Sequence, residues 1–378
     1  MSFSPFDEHM MEIALALARR GLGTTAPNPS VGAVIADETT GEVIARGVTQ
    51  PGGRPHAEVE ALKRAGARAK GATLYVTLEP CAHHGKTPPC ADAVVEAGLK
   101  RVVVGVEDPD PRTRGQGIAR LRQAGIAVAS GLQGEEARWV SLGHILRITA
   151  HRPFVQLKMA LGGDGALPRG VDGQALFVTG PGARRAAHRL RAASDAILIG
   201  AGTARDDDPE LTCRLPGLAG RSPVRVILSR GLDLSIDLKL LRTAREVPVW
   251  IFTSESTDAK RVDALESAGV RVFLAPVLAG ALSLSSVLGQ LADAGISRLL
   301  VEGGETIWRS FAAERLVDEV ALFQAGGDGK GQVPAATLAA RYAPGLDLTV
   351  TTHRRVGSDA LSIYRVVDLP RPDVGRSA

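Results

Sequence analysis

Cysteine is scarce: three in 378 residues, too few for a disulfide framework, so the core must hold the fold and the thiols are free to bind metal. Aromatic residues make up only 4%, which leaves the cores to Ala, Val, Leu and Ile and offers few faces for stacking nucleobases. No apolar run approaches the roughly 18 to 20 residues that a membrane-spanning helix needs. The opening MSFSPFDEHM has no basic segment followed by an apolar stretch, so no secretory signal is expected there. Nor is there a block of one charge. Lys and Arg exceed Asp and Glu by 45 to 41, a formal net charge of +4, and a spread excess suits anionic small molecules at least as well as nucleic acid. These absences predict a cytoplasmic protein with reduced thiols and no membrane partner.

What is present is ordinary globular material, 44% hydrophobic and 23% charged, at a length that predicts two or three domains. Asp7 is placed to cap a helix reaching about Arg20. VGAVIAD and GEVIARG read as strands about a polar turn at 37–41. There follow a helix over 57–69, a strand over 72–78, a helix opening near Cys90, the strand RVVVGVED, the helix GIARLRQAG and the strand IAVAS. A helical stretch over 135–149 leads to HRPFVQLKMA, where the pattern restarts. Strands are expected at 154–160, 196–200, 224–228, 249–252, 270–274 and 298–301, most of them separated by helices. Such alternation predicts two α/β layered domains with a boundary near 145–152. Residues 326–331 read as a mobile loop and RPDVGRSA as a frayed tail.

The chemistry of the first half lies in His56-Ala57-Glu58, Pro80-Cys81 and Pro89-Cys90. A catalytic zinc takes three protein ligands of thiolate or imidazole type and keeps a fourth position for water. His56, Cys81 and Cys90 are such a set, each at the end of an expected strand or the start of an expected helix. Cys90 opens a helix, whose free N–H groups should favour its thiolate. Glu58, two residues from a ligand, can serve the water without binding the metal. This is the equipment of a zinc deaminase, whose signature is H-x-E followed by P-C-x-x-C, although here eight residues separate the cysteines. Each part alone is ordinary, since a lone buried cysteine is usually core; the ordered combination is not. A purely structural zinc clamp would want a fourth protein ligand, and no further Cys stands ready to supply it.

NPSVGAVIAD, HAEVEAL and GATLYVTLEPCAHHGKTPPCADAVVEAG closely resemble the deaminase half of the bifunctional riboflavin-biosynthesis deaminase/reductase family. The resemblance implies a cytidine-deaminase-like α/β/α domain over 1–148, with Asn28, His83 and Lys86 holding the substrate. Asn suits a pyrimidine edge, and His with Lys suits a ribose phosphate. The family often has a His seven residues before the HAE histidine; here Thr49 stands there.

In the second half no proper dinucleotide fingerprint exists. GLGTTA at 21–26 follows a helix rather than a strand, and GAGTAR at 200–205 lacks the third small residue. LLVEGGETIWRSF reads as a buried strand followed by paired glycines that open a helix, a start favourable to phosphate. RPFVQLKMA, FVTGPGARRAAHRLRAASDAILIGAGTARDDDPELTCR, PVRVIL and LLVEGGETIW resemble the reductase half of the same family in its order. This implies a dihydrofolate-reductase-like α/β domain over 149–368, followed by a disordered tail at 369–378. It also implies that Lys158, Arg191, Leu211, Arg214 and Glu302 meet substrate, while Leu161, Phe177, Thr203, Asp207 and Gly304 meet NADPH. Departures fall at Gly162 within LGGDG, where the family reads SLDG, and at Gln174, Ala175 and Phe177, where it has Gly-Glu-Ser and a Trp. Cys213 is a spectator.

By resemblance, then, the cofactors are Zn2+ and NADPH. The first domain deaminates a phosphorylated pyrimidine and the second reduces its ribosyl group to ribityl, with Asp207 or Lys158 handling the proton. The partner is a small molecule rather than nucleic acid or membrane, and a homo-oligomer is expected. Gly162, Ala175 and Phe177 leave open a reductase-like domain that is inactive or altered in substrate. A deaminase whose second domain binds RNA is disfavoured by the long insert and the scattered charge.

Overall fold

The computed structural model describes residues 3–85, 87–167, 179–326 and 333–367. Lys86, Gln174, Ala175 and Phe177, most of the expected loop at 326–331 and the tail lie outside the described residues. The chain divides into two compact units, Met1–Arg152 and Pro153–Ala378.

The first unit runs α1 (Pro5–Gly21), β1 (Gly32–Asp37), β2 (Glu42–Val48), α2 (Ala57–Ala65), β3 (Thr73–Leu78), α3 (Cys90–Glu96), β4 (Arg101–Val106), α4 (Gln116–Gln123), β5 (Ala127–Ser130) and α5 (Gly134–Thr149). The cap of α1 is Ser4, not Asp7. Ser4 and Asp7 exchange backbone and side-chain hydrogen bonds as a capping box. Asp7 is instead buried, accepting from Tyr75 Oη (2.7 Å) and Arg101 (2.7 Å), which pins α1 to β3 and β4. The sheet order is β2-β1-β3-β4-β5, with β3, β4 and β5 parallel and β1 antiparallel to both its neighbours.

Period-two alternation sends successive residues to opposite faces. Ile35, Leu74, Val76, Val102 and Val104 pack beneath α2, α3 and α4. Val34, Tyr75 and Val103 pack beneath α1 and α5. The result is an α/β/α sandwich. Gly47 lets α2 press against β2: a Cβ there would stand 2.0 Å from the Ala57 carbonyl oxygen.

The second unit comprises β6 (Phe154–Leu161), α6 (Pro181–Ala192), β7 (Ala196–Gly200), α7 (Ala201–Asp207), β8 (Val224–Leu228), α8 (Lys239–Arg242), β9 (Val249–Ser254), α9 (Ala259–Ser267) and β10 (Arg271–Ala275). It continues with the small hairpin β11 (Val277–Leu278) and β12 (Ala281–Leu282), then α10 (Leu284–Asp293), β13 (Arg298–Val301), α11 (Glu305–Ala313), β14 (Glu319–Gln324), α12 (Ala335–Tyr342), β15 (Leu348–Val356) and β16 (Asp359–Val366). Nine strands form one sheet in the order β10-β9-β8-β7-β13-β6-β14-β16-β15. The first seven are parallel and the last two antiparallel. The central strands are almost wholly apolar because helices cover both faces. Leu157, Leu198, Val301 and Leu322 lie on one face with α10, α11 and α12, and Ile197, Ile227, Ile251 and Leu300 on the other. Strands β14, β15 and β16 complete this sheet and are absent from the expectation above. Among the described residues no helix is long and apolar enough to cross a membrane.

Candidate active sites

Three element ends build the first site. His56 is the N-cap of α2, Cys81 lies three residues beyond β3, and Cys90 is the first residue of α3. His56 Nδ1 lies 3.3 Å from Cys90 Sγ and 3.7 Å from Cys81 Sγ. The three ligand atoms lie within 4.8 Å of one another. A tetrahedral zinc with ordinary Zn–S and Zn–N lengths would set its nitrogen–sulfur edges at about 3.6 Å. The triangle therefore fits zinc without rearrangement.

Glu58, one turn position inside α2, is 3% exposed. Burial pushes its carboxyl up to about 7; the Cys81 sulfur adds to the rise, and the His56 imidazole opposes it. Cys81 is held down at about 4 by hydrogen bonds from the Cys90 thiol, from His56 and from the Cys90 backbone N–H (3.3 Å). The helix N–H points across to the neighbouring sulfur, while Cys90 itself is pushed up by Cys81 and by burial.

A buried carboxylate not anticipated from sequence props this site. Glu79 accepts from the backbone N–H groups of Asp108 (3.3 Å), Gly115 (3.0 Å) and Ile118 (3.1 Å), tying the segment after β4 to the end of β3. Gly117 completes that fit, since a Cβ there would lie 2.0 Å from the Pro80 carbonyl oxygen.

Of the expected substrate residues, Asn28 stands at the metal pocket. Its Nδ2 donates to the Gly53 carbonyl (2.8 Å) and lies 3.4 Å from His56 Nε2. His83 sits in the insert between the cysteines, its Nδ1 3.1 Å from the hydroxyl of buried Thr113. Lys86 is outside the described residues. Thr49 is buried, and its hydroxyl accepts from the Val31 N–H (3.0 Å), so it is part of the scaffold rather than a substitute ligand. Arg54, also missed by the sequence reading, donates to Thr87 Oγ1 (2.5 Å) across the pocket rim.

In the second unit, residues far apart in sequence meet at the ends of the central parallel strands. Arg191 grips Glu302 with two hydrogen bonds (2.8 and 2.9 Å) and donates to the Thr212 carbonyl (3.0 Å). Lys158 Nζ lies 3.7 Å from the same carboxylate. Burial opposes ionisation of Glu302, but Arg191 and Lys158 outweigh it and hold the carboxyl down at about 2. His188 on α6 accepts from the Arg214 N–H (3.3 Å), and burial with the two nearby guanidinium groups keeps its pKa low. The Arg214 side chain itself is exposed and pairs with Glu210. Leu161 and Leu211 are buried in the two cores, so only their peptide groups are available to a ligand. Cys213 is buried, its thiol 3.5 Å from the His188 carbonyl oxygen.

Gly200 and Gly304 begin α7 and α11 with no side-chain cap, beyond the neighbouring strands β7 and β13. The space beside Gly304 is open, with Thr203 Oγ1 4.0 Å from the position a Cβ would take. Free N–H groups beside open space suit a dinucleotide's phosphates. Asp207 ends α7 and is exposed. Phe177 is outside the described residues.

Two protein families match in succession. The cytidine and deoxycytidylate deaminase zinc-binding region covers residues 4–106, and the RibD C-terminal domain covers residues 153–361. The riboflavin biosynthesis protein RibD of Aquifex aeolicus is 41% identical over 317 residues, which are 84% of this chain and 86% of that protein. The solved structure of Acinetobacter baumannii RibD matches with a TM-score of 0.80 at 32% identity, covering 96% of this chain and 99% of that one. The Thermotoga maritima diaminohydroxyphosphoribosylaminopyrimidine deaminase/5-amino-6-(5-phosphoribosylamino)uracil reductase matches with a TM-score of 0.78 at 35% identity and the same coverage.

Proposed function

This chain belongs to the RibD family of bifunctional riboflavin-biosynthesis enzymes, and we propose that Glu58 carries the proton in its deamination and Lys158 the proton in its reduction. The chain is a zinc-dependent pyrimidine deaminase and an NADPH-dependent reductase. Its substrate is 2,5-diamino-6-ribosylamino-4(3H)-pyrimidinone 5′-phosphate; deamination comes first, and the ribosyl group of the product is then reduced to ribityl.

The triangle of His56, Cys81 and Cys90, with Glu58 buried beside it, carries the deaminase assignment. Zinc held there supplies the Lewis acidity that makes water nucleophilic at neutral pH. Glu58, poised near neutrality, takes a proton from the attacking water and delivers it to the amine nitrogen that leaves as ammonia. Asn28 holds the pyrimidine edge, and His83 and Lys86 meet the ribose phosphate.

In the second unit NADPH supplies the hydride. The start of α11 by Gly304 and Thr203 would receive its phosphates, and Asp207, Phe177 and the peptide group of Leu161 would be its further contacts. Arg191, Arg214, the peptide group of Leu211 and the Glu302 carboxylate hold the substrate. Hydride reaches C1′ of the ring-opened imine form and a proton reaches its nitrogen. Lys158, within the cluster about Glu302, is better placed to deliver that proton than exposed Asp207.

A cytoplasmic home suits thiols that must stay reduced to bind metal. A homo-oligomer suits the long, exposed edge strand β15, and light scattering would test it. The function is tested in two stages on zinc-loaded enzyme. Ammonia release and then NADPH oxidation are expected; ammonia without NADPH oxidation would remove the reductase assignment, and silence in both would remove the whole reading.

A further inference from the structure

At the rim of the first pocket stands a cation that the deamination chemistry does not use. Arg54 lies two residues before His56, and its guanidinium crosses to the insert between the cysteines, where Nη1 donates to Thr87 Oγ1 (2.5 Å). While Arg122 meets a carbonyl oxygen, five other arginines of this unit, Arg64, Arg68, Arg101, Arg112 and Arg120, pair with a carboxylate. Among the described residues none pairs with Arg54; its partner is a neutral hydroxyl, which leaves the positive charge unmatched. The second nitrogen, Nη2, converges with His83 over Gly85. The position a Cβ on Gly85 would take is 3.4 Å from Arg54 Nη2 and 3.9 Å from His83 Nε2. The other ring nitrogen of His83 is engaged by Thr113, so Nε2 is the one left for a ligand. A guanidinium and an imidazole that approach the same backbone position can both donate to a single phosphate beside it, and the planar fork of Arg matches phosphate oxygens in a way that a hydroxyl cannot.

We propose that Arg54 binds the phosphate of the deaminase substrate, with His83 Nε2 as second donor, and so selects phosphorylated over unphosphorylated pyrimidine ribosides. The proposal rests on the deaminase reading. It is tested by calorimetric titration of the zinc-loaded full chain carrying Glu58→Gln, which holds the ligand unreacted, using the diaminopyrimidine riboside with and without its 5′-phosphate.

Adding Arg54→Gln should weaken binding of the phosphorylated compound by about 10- to 100-fold, the scale of a lost hydrogen bond to a charged group. Binding of the unphosphorylated compound should change by less than about threefold. Arg54→Lys should recover part of the loss, since a point charge replaces the fork. Unchanged affinity overturns the proposal, and so does equal weakening for both compounds, which is what a merely structural clasp to Thr87 predicts. Thr87→Val separates these roles: a clasp makes it as damaging as Arg54→Gln, whereas phosphate binding leaves the preference for the phosphorylated compound standing. Failure of the deaminase reading would show independently, as wild-type enzyme releasing no ammonia.

Discussion

Each half of the molecule buries a glutamate at its reactive centre, and the two are set to opposite tasks. Glu58 is 3% exposed, no arginine or lysine forms an ion pair with it among the described residues, and burial pushes it up to about 7. Glu302 is nearly as enclosed, its side chain 7% exposed, but it is gripped by Arg191 and faced by Lys158, which hold it at about 2. The same side chain is a proton carrier where burial wins and a fixed negative charge where cations win. On the reading proposed above, the first site trades protons with its substrate through Glu58. On the same reading, the second takes its proton from Lys158 and keeps the glutamate as a fixed charge that holds substrate and the neighbouring cations.

The most severe way to break this contrast is Glu58→Gln, which keeps the shape and removes the titrating group. Ammonia release should fall by roughly 10²- to 10⁴-fold, the usual contribution of a positioned general acid–base. NADPH oxidation with the deaminated intermediate supplied should persist. Glu302→Gln should break the other half instead. Leaving half-buried Arg191 without its counter-charge should cost up to about 3 kcal/mol of stability, read as a lowered denaturation midpoint, and reduction should be lost.

The pH dependence of that loss sharpens the comparison. Glu302 is depressed from 4.5 to about 2, so its contribution is complete above pH 4.5 and fades as pH falls through about 2. The stability gap between wild type and Glu302→Gln should be flat above 4.5 and close below it. The smallest effect is expected at Thr49. Thr49→Val removes one buried hydrogen bond to Val31 and should cost about 1 kcal/mol, with the deaminase KM unmoved; a raised KM would make Thr49 a substrate residue after all.

How much of this was legible in the sequence differs between the halves for a physical reason. The ligands of the first site sit at the ends of adjacent elements, so HAE and the two Pro-Cys pairs announce it in a short stretch. Even so, the Cys90 N–H points at the Cys81 sulfur across the site, and that is a matter of tertiary geometry. In the second unit Arg191 and Glu302 are separated by 111 residues and meet because β7 and β13 are neighbours in the sheet, which no spacing announces. Leu161 and Leu211 are site residues only by the resemblance, and their side chains are core, which leaves their peptide groups to meet a ligand. Strand β15 escaped because almost every residue of LTVTTHRRV is exposed, so it lacks the alternation by which half-buried strands are read.

The insert between the cysteines is closed on itself: the Ala91 N–H donates to the Cys81 carbonyl (3.2 Å) while the Cys90 N–H donates to the Cys81 sulfur (3.3 Å). Its two ends are thus stapled together by main chain, and the metal ligands belong to the staple rather than to the loop. Doubling the length of such a loop adds only about 0.6 kcal/mol of closure entropy. The share of substrate contact that lies between the cysteines can therefore be rewritten, lengthened or exchanged while the hydrolytic machinery stays where it is, which makes this segment a replaceable cartridge for retargeting the enzyme.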